Sequence, residues 1–374
     1  MNKKEKAIID IFNKIEIELI KNISSKFKND YIFDFETFTK KELSRWELQK
    51  LAELGKLTKE NIKIIKQNSK ELSGLLEDYL KETALQSIEE IEPEFLKGVK
   101  RNFLKPTKKP MISNAVKQIV KYYSKQAKDE YNLTNTTMLK SSQQKYRDII
   151  NKTSFQLASG IYTPQEAVKN TIKEFGKEGI TALTDKSGRN WTPEGYVRMV
   201  NRTTTNNIIT KAQQERCKDY GVNLIEISSH SGARPLCAPY QGKIYSIDGK
   251  DGFVEDFNGK KIKYESFSTT SYGQPAGLFG INCTHRQYPF IAGISELKEY
   301  DISKSENDEL YKLTQTQRKY ERDIRKTKRE IEAVNSAGLD IKELKQKLKN
   351  QQSKIKNFTE KNDLVRQRDR EQIY

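Results

Sequence analysis

Apolar positions recur at three- and four-residue steps over most of the chain, the spacing of one face of a helix. Ile8, Ile11, Phe12, Ile15 and Leu19 make one such run, and Leu43, Trp46, Leu48, Leu51, Ala52 and Leu54 make a second, from near Thr39 to Gly55. Thr58, with Glu60 two residues on, predicts the cap of a third helix carrying Ile62, Ile65 and Leu72. A fourth is expected over Leu75 to Ile91, stopping at Pro93. The stretch Lys105-Pro106-Thr107-Lys108-Lys109-Pro110 cannot continue a helix, because each proline removes a backbone donor and clashes with the preceding turn. Helix resumes over Ser113 to Tyr131 and Thr137 to Ser159, with Gly160 as its C-cap, and again from Thr163-Pro164 to Gly176 or Gly179.

The texture changes at Trp191. Thr192-Pro193-Glu194 opens a helix that reaches Tyr220-Gly221, with a break expected near Thr203 to Thr205. Val222 to Ser228 alternates as a strand does. Ser229 to Gly293 is rich in Gly, Pro and aromatics and predicts short strands and loops: Lys243 to Ile247, a turn at Asp248 to Gly252, Ile262 to Tyr264, then Gly273 to Asn282. Beyond residue 300 a thin apolar stripe (Leu310, Leu313, Gln317, Tyr320, Ile324, Ile331) runs to a break at Ser336-Ala337-Gly338. A second stripe through Ile341, Leu344, Leu348, Gln351, Ile355 and Phe358 follows at near-heptad spacing, predicting a helical hairpin or coiled-coil pair.

These elements predict a mainly α, α+β protein in four segments. They are a helical N-terminal region (1–105), a helical connecting region (106–190), a compact loop-rich α+β core (191–300) and a basic C-terminal helical arm (301–374). Hydrophobic residues make up only 35% of the 374 and charged residues 32%, so a modest core flanked by solvent-washed helical arms is expected. No apolar run approaches the roughly 18–20 residues that span a bilayer. Met1 to Lys6 is too charged for a secretory leader, which sets the expected location in the cytosol.

Charge narrows the partners. The chain carries 68 basic and 51 acidic residues, a net +17, and from Tyr311 to Tyr374 there are 18 basic residues against 10 acidic. Such a field favours polyanions or acidic protein surfaces. Arg318, Arg322, Arg325, Lys326, Lys328 and Arg329 are the candidate contacts to nucleic acid or a partner, and a solvated face of Glu–Lys pairs is the plainer alternative.

Only two histidines and three cysteines occur, and four of these five lie between His230 and His285: His230, Cys237, Cys283 and His285. Two thiolates and two neutral imidazoles would neutralise Zn²⁺ in a closed tetrahedral site. Residues two apart in extended chain point the same way, so Cys283 and His285 can face one ion. A loop-rich segment with few aliphatics is also the kind of fold a metal staples. Three readings stay open: structural zinc, buried thiols with histidines bound to backbone carbonyls, and a thiol–imidazole nucleophile pair. Cys217 lies in a predicted helix and has no role assigned. Arg234, in the rigid turn Gly232-Ala233-Arg234-Pro235, could clamp a carboxylate or phosphate, or hold the loop through carbonyls. No P-loop, dinucleotide fingerprint or HExxH is present.

At these residues the chain resembles phage minor capsid proteins of the minor capsid 2 type, and in outline the Mu-F-like head-morphogenesis proteins. The resemblance rests on Ser229-His230-Ser231-Gly232-Ala233-Arg234-Pro235-Leu236-Cys237-Ala238-Pro239-Tyr240-Gln241-Gly242-Lys243 and on Gly277-Leu278-Phe279-Gly280-Ile281-Asn282-Cys283-Thr284-His285, with Tyr288-Pro289-Phe290 after it. Arg189-Asn190-Trp191, Tyr196 to Met199, Arg202-Thr203, Gln315 to Arg322 and Ile324-Arg325-Lys326 fit the same pattern, which runs from about residue 110 to the C-terminus. Two positions depart from it: Tyr240 stands where Trp is expected, and Cys237 where many relatives carry His. The second swap is benign for zinc, since both residues are ligands, and fatal for a nucleophile at 237.

The resemblance implies a non-enzymatic structural protein of a tailed-phage head, at or near the portal vertex, acting in head assembly or DNA delivery. Its implied partners are the portal and other capsid or scaffold proteins, with phage DNA met through phosphates. It would be made in the host cytoplasm and end in the virion. Two rivals stand beside this reading: a non-sequence-specific nucleic-acid-binding protein using its basic helices, and a thiol- or metal-dependent hydrolase or toxin-like effector.

Overall fold

The computed structural model describes residues 2–28, 39–297 and 303–374. The expected boundary at residue 300 lies outside them. The protein is mainly α with a small sheet, as the periodicities predict. In chain order the elements are α1 (Lys3–Ser25), α2 (Lys40–Ser69), α3 (Leu72–Lys100), α4 (Asn114–Ala158), α5 (Pro164–Glu178), β1 (Leu183–Thr184), β2 (Asn190–Trp191) and α6 (Pro193–Tyr220), followed by β3 (Leu224–Ile227), β4 (Ile244–Ser246), β5 (Gly252–Glu255), β6 (Lys261–Ser266), β7 (Gln287–Pro289), α7 (Lys304–Ser336) and α8 (Lys342–Lys361).

Caps and terminators fall largely where side-chain chemistry sets them. Thr39 and Thr163 each form a capping box, with Glu42 and Glu166, and Gly179 closes α5 at φ +72°. Internal breaks were over-predicted. α2 passes through Gly55 without interruption, and Thr58 is no cap: its hydroxyl donates to the Leu54 carbonyl at 2.8 Å within the helix. α4 is continuous because Thr134 and Thr136 turn their hydroxyls back onto the Glu130 and Asn132 carbonyls while Tyr131 and Met138 are buried. α3 carries Pro93 in its interior, flanked by Ile91 and Phe95, which share one buried cluster; that packing outweighs the lost backbone bond. α6 has no break at Thr203 to Thr205.

The chain divides into two compact units, each assembled from non-consecutive segments rather than from the four consecutive ones expected. The first draws on Met1–Ser73, Glu130–Val197 and Gln315–Tyr374 in their described parts. Its centre is α1, buried around most of its circumference through Ile8, Ile9, Phe12, Ile15, Leu19, Ile20 and Ile23. Phe12 packs on Tyr131, and Phe27 on Trp46 and Tyr146. The C-terminal hairpin forms as predicted: the Leu339 N–H caps back to the Val334 carbonyl, and Tyr320 of α7 meets Phe358 of α8 edge-on at 5.3 Å. It is not solvent-washed, because Ile324, Thr327, Ala333 and Val334 are wholly buried.

The second unit is Gly74–Asp129 with Arg198–Thr314. It holds a five-stranded sheet in the order β5-β6-β4-β3-β7, antiparallel except for the parallel β4–β6 pair. Side chains alternate across it. Ile225, Ile227 and Tyr245 join Phe267, Leu278, Phe279 and the thiols of Cys237 and Cys283 on one face, and Leu224, Ile244, Val254 and Phe290 line the other. Cys217 lies in a separate cluster with Ile91, Phe95, Val222, Ile291 and Ile294. β1, β2, β5 and β7, of two to four residues each, are too short for an alternating pattern to mark them in the sequence.

Candidate metal centre

The sheet brings the sequence-distant ligands together. β3 and β7 are antiparallel neighbours with Ile227 opposite Gln287, so the chain leaving β3 toward His230 and the chain entering β7 from Cys283 and His285 share one end of the sheet. Two loops complete the site. The first carries Arg234 and Cys237, whose position is fixed by a turn in which the Cys237 N–H donates to the Arg234 carbonyl at 2.8 Å. Asn307 of α7 clamps this loop in both directions, accepting from the Ala233 N–H at 2.8 Å and donating to the Ala233 carbonyl at 3.0 Å.

The second loop, from Ser271 to Cys283, depends on two glycines. A Cβ on Gly277 would lie 2.0 Å from the Ser271 carbonyl oxygen, and one on Gly280 would lie 2.6 Å from the carbonyls of Gln274 and Pro275. Ser271 ties the loops together: its hydroxyl donates to the Leu236 carbonyl at 2.6 Å and accepts from the Leu278 N–H at 2.9 Å.

Three of the four expected ligands converge. One ligand atom each from Cys237, Cys283 and His285 lies within 4.8 Å of the others, and the residues are 0%, 2% and 1% exposed. Cys283 Sγ is 3.4 Å from His285 Nδ1. His230 lies alongside, its ring centroid 4.3 Å from that of His285, but its Nε2 faces the Thr284 hydroxyl at 2.9 Å and its Nδ1 the Ser231 carbonyl at 3.2 Å. Gln241 organises both rings: its side-chain oxygen accepts from the His230 backbone N–H at 2.8 Å and from His285 Nε2 at 3.1 Å.

Electrostatics divide the two thiols. The hydrogen bond from Cys237 holds Cys283 well below the usual thiol range in spite of burial, with His285 adding to the effect. Cys237, donating that bond inside the apolar cluster, is pushed up. Burial, then the neighbouring His285, lowers His230. A thiol, an imidazole and an amide in sequence have the form of a nucleophile, base and orienter. Here the thiols and His285 are buried within the core.

Arg234 binds the loops. Its Nη1 donates to the Ile281 carbonyl at 2.8 Å and its Nη2 to the Gly277 carbonyl at 3.4 Å, with Cys237 Sγ 3.8 Å from Nη2. Tyr240 packs partly buried against the same cluster, edge-on to Tyr245 at 6.3 Å. Gln241, Asn307 and Ser271 were assigned nothing from sequence. Gln241 lies in the Ser229–Lys243 segment, while Asn307 sits in a polar helix that carries no signal.

The six basic residues of α7 do not form one surface. Arg318 and Arg322 are exposed. Arg325 pairs with Glu194 at 2.9 Å and donates to the Arg370 carbonyl. Lys326 lies 3.9 Å from Asp323, and Lys328 donates to Gln372 at 2.6 Å. Arg329 is buried, 3.8 Å from Glu16.

Comparison with known proteins follows the same residues outward. A family model described as phage minor capsid protein 2 matches residues 1–360. A "Structural protein" of Lactococcus phage LL-H is 32% identical over 343 residues, covering 89% of this chain and 90% of the relative. A "Structural protein" of Lactococcus phage mv4 is 36% identical over 115 residues, 30% of this chain and 93% of that protein. No solved structure matches.

Proposed function

Because the chain belongs to the phage minor capsid protein 2 family, we propose that it is a structural component of a tailed-phage head, acting at or near the portal vertex in head assembly or DNA delivery. The observation that carries this reading is the similarity to a phage structural protein over 89% of the chain, which reaches beyond the metal-like cluster into both units. Burial of the thiols and His285 supports a scaffold and not a turnover site. The protein is made in the host cytoplasm and carried into the virion, with portal, capsid or scaffold proteins as its neighbours.

Quantitative mass spectrometry of purified particles tests this. A fixed, low copy number per particle is expected, together with defective heads or failed DNA delivery when the gene is deleted. Absence from particles, or deletion particles of normal infectivity, would overturn it.

Contact with DNA is a second reading, supported by the net +17 and by Arg318 and Arg322 exposed on α7. Binding would be to phosphates and blind to sequence. Affinity of the full chain for unrelated duplexes should then fall at least about tenfold between roughly 50 and 200 mM salt. Salt-independent binding, or none, would remove this reading.

A further inference from the structure

We propose that Cys237, Cys283 and His285, with His230 as fourth ligand, bind one Zn²⁺ that staples the two loops of the second unit.

The spacing fits. Zinc holds sulfur at about 2.3 Å and imidazole nitrogen at about 2.0–2.1 Å, so the edge of a tetrahedral site between them is about 3.5 Å. Cys283 Sγ and His285 Nδ1 are 3.4 Å apart, and the Cys237 donor lies within 4.8 Å of both. One ion placed between the three donors needs only small side-chain adjustments.

The tautomer fits as well. The oxygen of the Gln241 amide is identified by the backbone N–H of His230 that it accepts at 2.8 Å, because the amide nitrogen could not accept that bond. The same oxygen faces His285 Nε2 at 3.1 Å, so Nε2 carries the proton. Nδ1, the nitrogen nearest the thiols, is therefore the lone-pair nitrogen a metal requires. An amide or carboxylate that takes the outer N–H of a ligating histidine is the usual support around bound zinc. Gln241 does this while anchoring the backbone of His230 beside it.

The remaining surroundings belong to a closed structural site. The three converged donors are at most 2% exposed, which excludes water and substrate. Arg234 turns a guanidinium edge toward Cys237 Sγ at 3.8 Å and binds a carbonyl of each of two turns of the second loop, so it steadies thiolate charge and loop together. His230 is placed to complete the set: its ring stacks 4.3 Å from His285, and side-chain rotation exchanges the Thr284 hydroxyl for the metal. Two thiolates and two neutral imidazoles then balance the ion's charge.

The full-length protein tests the proposal. Purified without chelator and dialysed against a zinc buffer, it should hold one zinc per chain by elemental analysis. The Co²⁺-exchanged protein should show thiolate-to-cobalt charge transfer and the visible bands of a tetrahedral site. Cys237→Ser, Cys283→Ser and His285→Ala should each reduce zinc content at least about tenfold, while Cys217→Ser, outside the site, keeps it. His230→Ala should weaken retention against a competing chelator and shift the cobalt bands away from tetrahedral. Since a ligand variant can misfold, the wild-type chain supplies a separate readout: chelation should lower its melting temperature by more than about 5 °C, and zinc should restore it. Zinc below a tenth of an equivalent after dialysis, with a melting temperature indifferent to chelator, would overturn the site. Tetrahedral cobalt bands unaltered in His230→Ala would overturn its fourth ligand.

Discussion

At Gly277 the side chain is a hydrogen because the chain has no room for a carbon: the Ser271 carbonyl occupies the space a Cβ would need. Gly277→Ala should cost about 1–3 kcal/mol in denaturant unfolding, the usual penalty of overpacking. A second buried pair sets an acid dependence. Glu92 receives both donors of one Arg216 guanidinium edge, Nε at 2.7 Å and Nη2. Burial pushes its carboxyl up, but the hydrogen bonds from Arg216 and Tyr220 prevail and hold it below its ordinary value. A depressed carboxyl contributes stability that is complete above the unfolded range of about 4.3 and is lost as pH falls through the folded value. Glu92→Gln should therefore remove part of the acid sensitivity, and should cost about 1–3 kcal/mol at neutral pH, because Arg216 keeps Asp219 at 3.4 Å and the Lys109 carbonyl at 3.2 Å. Urea titrations of both proteins across pH 3 to 7 read both effects. Scarcity made the His/Cys group legible at this scale, since four rare residues in one segment invite a common purpose. Gln241 and Asn307 were illegible because their partners are chosen by loop closure, which leaves no local pattern.

Helices and strands were legible where periodicity was strong and misread where single residues were taken as punctuation. Gly55 and Gly176 show why. Both lie within helices, but nothing approaches a Cβ on Gly55, whereas one on Gly176 would sit 2.8 Å from the Glu330 Cα and 2.9 Å from the Ala333 Cβ. Gly55 is a solvent-side weakness and Gly176 is the point where α5 meets α7. Gly55→Ala should stabilise by about 0.5–1 kcal/mol through restored helix propensity, and Gly176→Ala should destabilise by about 1–3 kcal/mol through the clash. Thermal melts of the two variants, opposite in sign, check the distinction. The same logic covers Pro93, which reads as a stop until Ile91 and Phe95 are seen buried on either side of it. Propensity describes the isolated segment, and tertiary packing overrides it.

For the molecule as a whole, the misreading was of contiguity. A polar, basic C-terminal stretch reads as a detachable limb, yet α7 supplies Ile324, Ala333 and Val334 to the core of the first unit and α8 supplies Leu344 and Ile355. Low apolar content suggests exposure; here it reflects long helices in which buried charge is matched by charge, as Glu194 is by Arg325 and Glu330 by Lys347. Ending the chain at Thr314 should therefore unfold the first unit and not merely trim it, with proteolysis of α1 and α2 as the visible result. The Leu19 and Ile20 positions of α1, fully covered in the intact protein, would become cleavable.

The interleaving also sets an order of events at the ribosome. The second unit is drawn from Gly74–Asp129 and Arg198–Thr314, but the first needs both α1 and the much later α7 and α8. α1 can pack on α2 and on Tyr131 of α4 as they emerge, but the side that meets α7 through Glu16 and Lys21 must wait for that later helix. A copy cut short before α7 would thus leave one side of α1 uncovered, a mark that proteases can read.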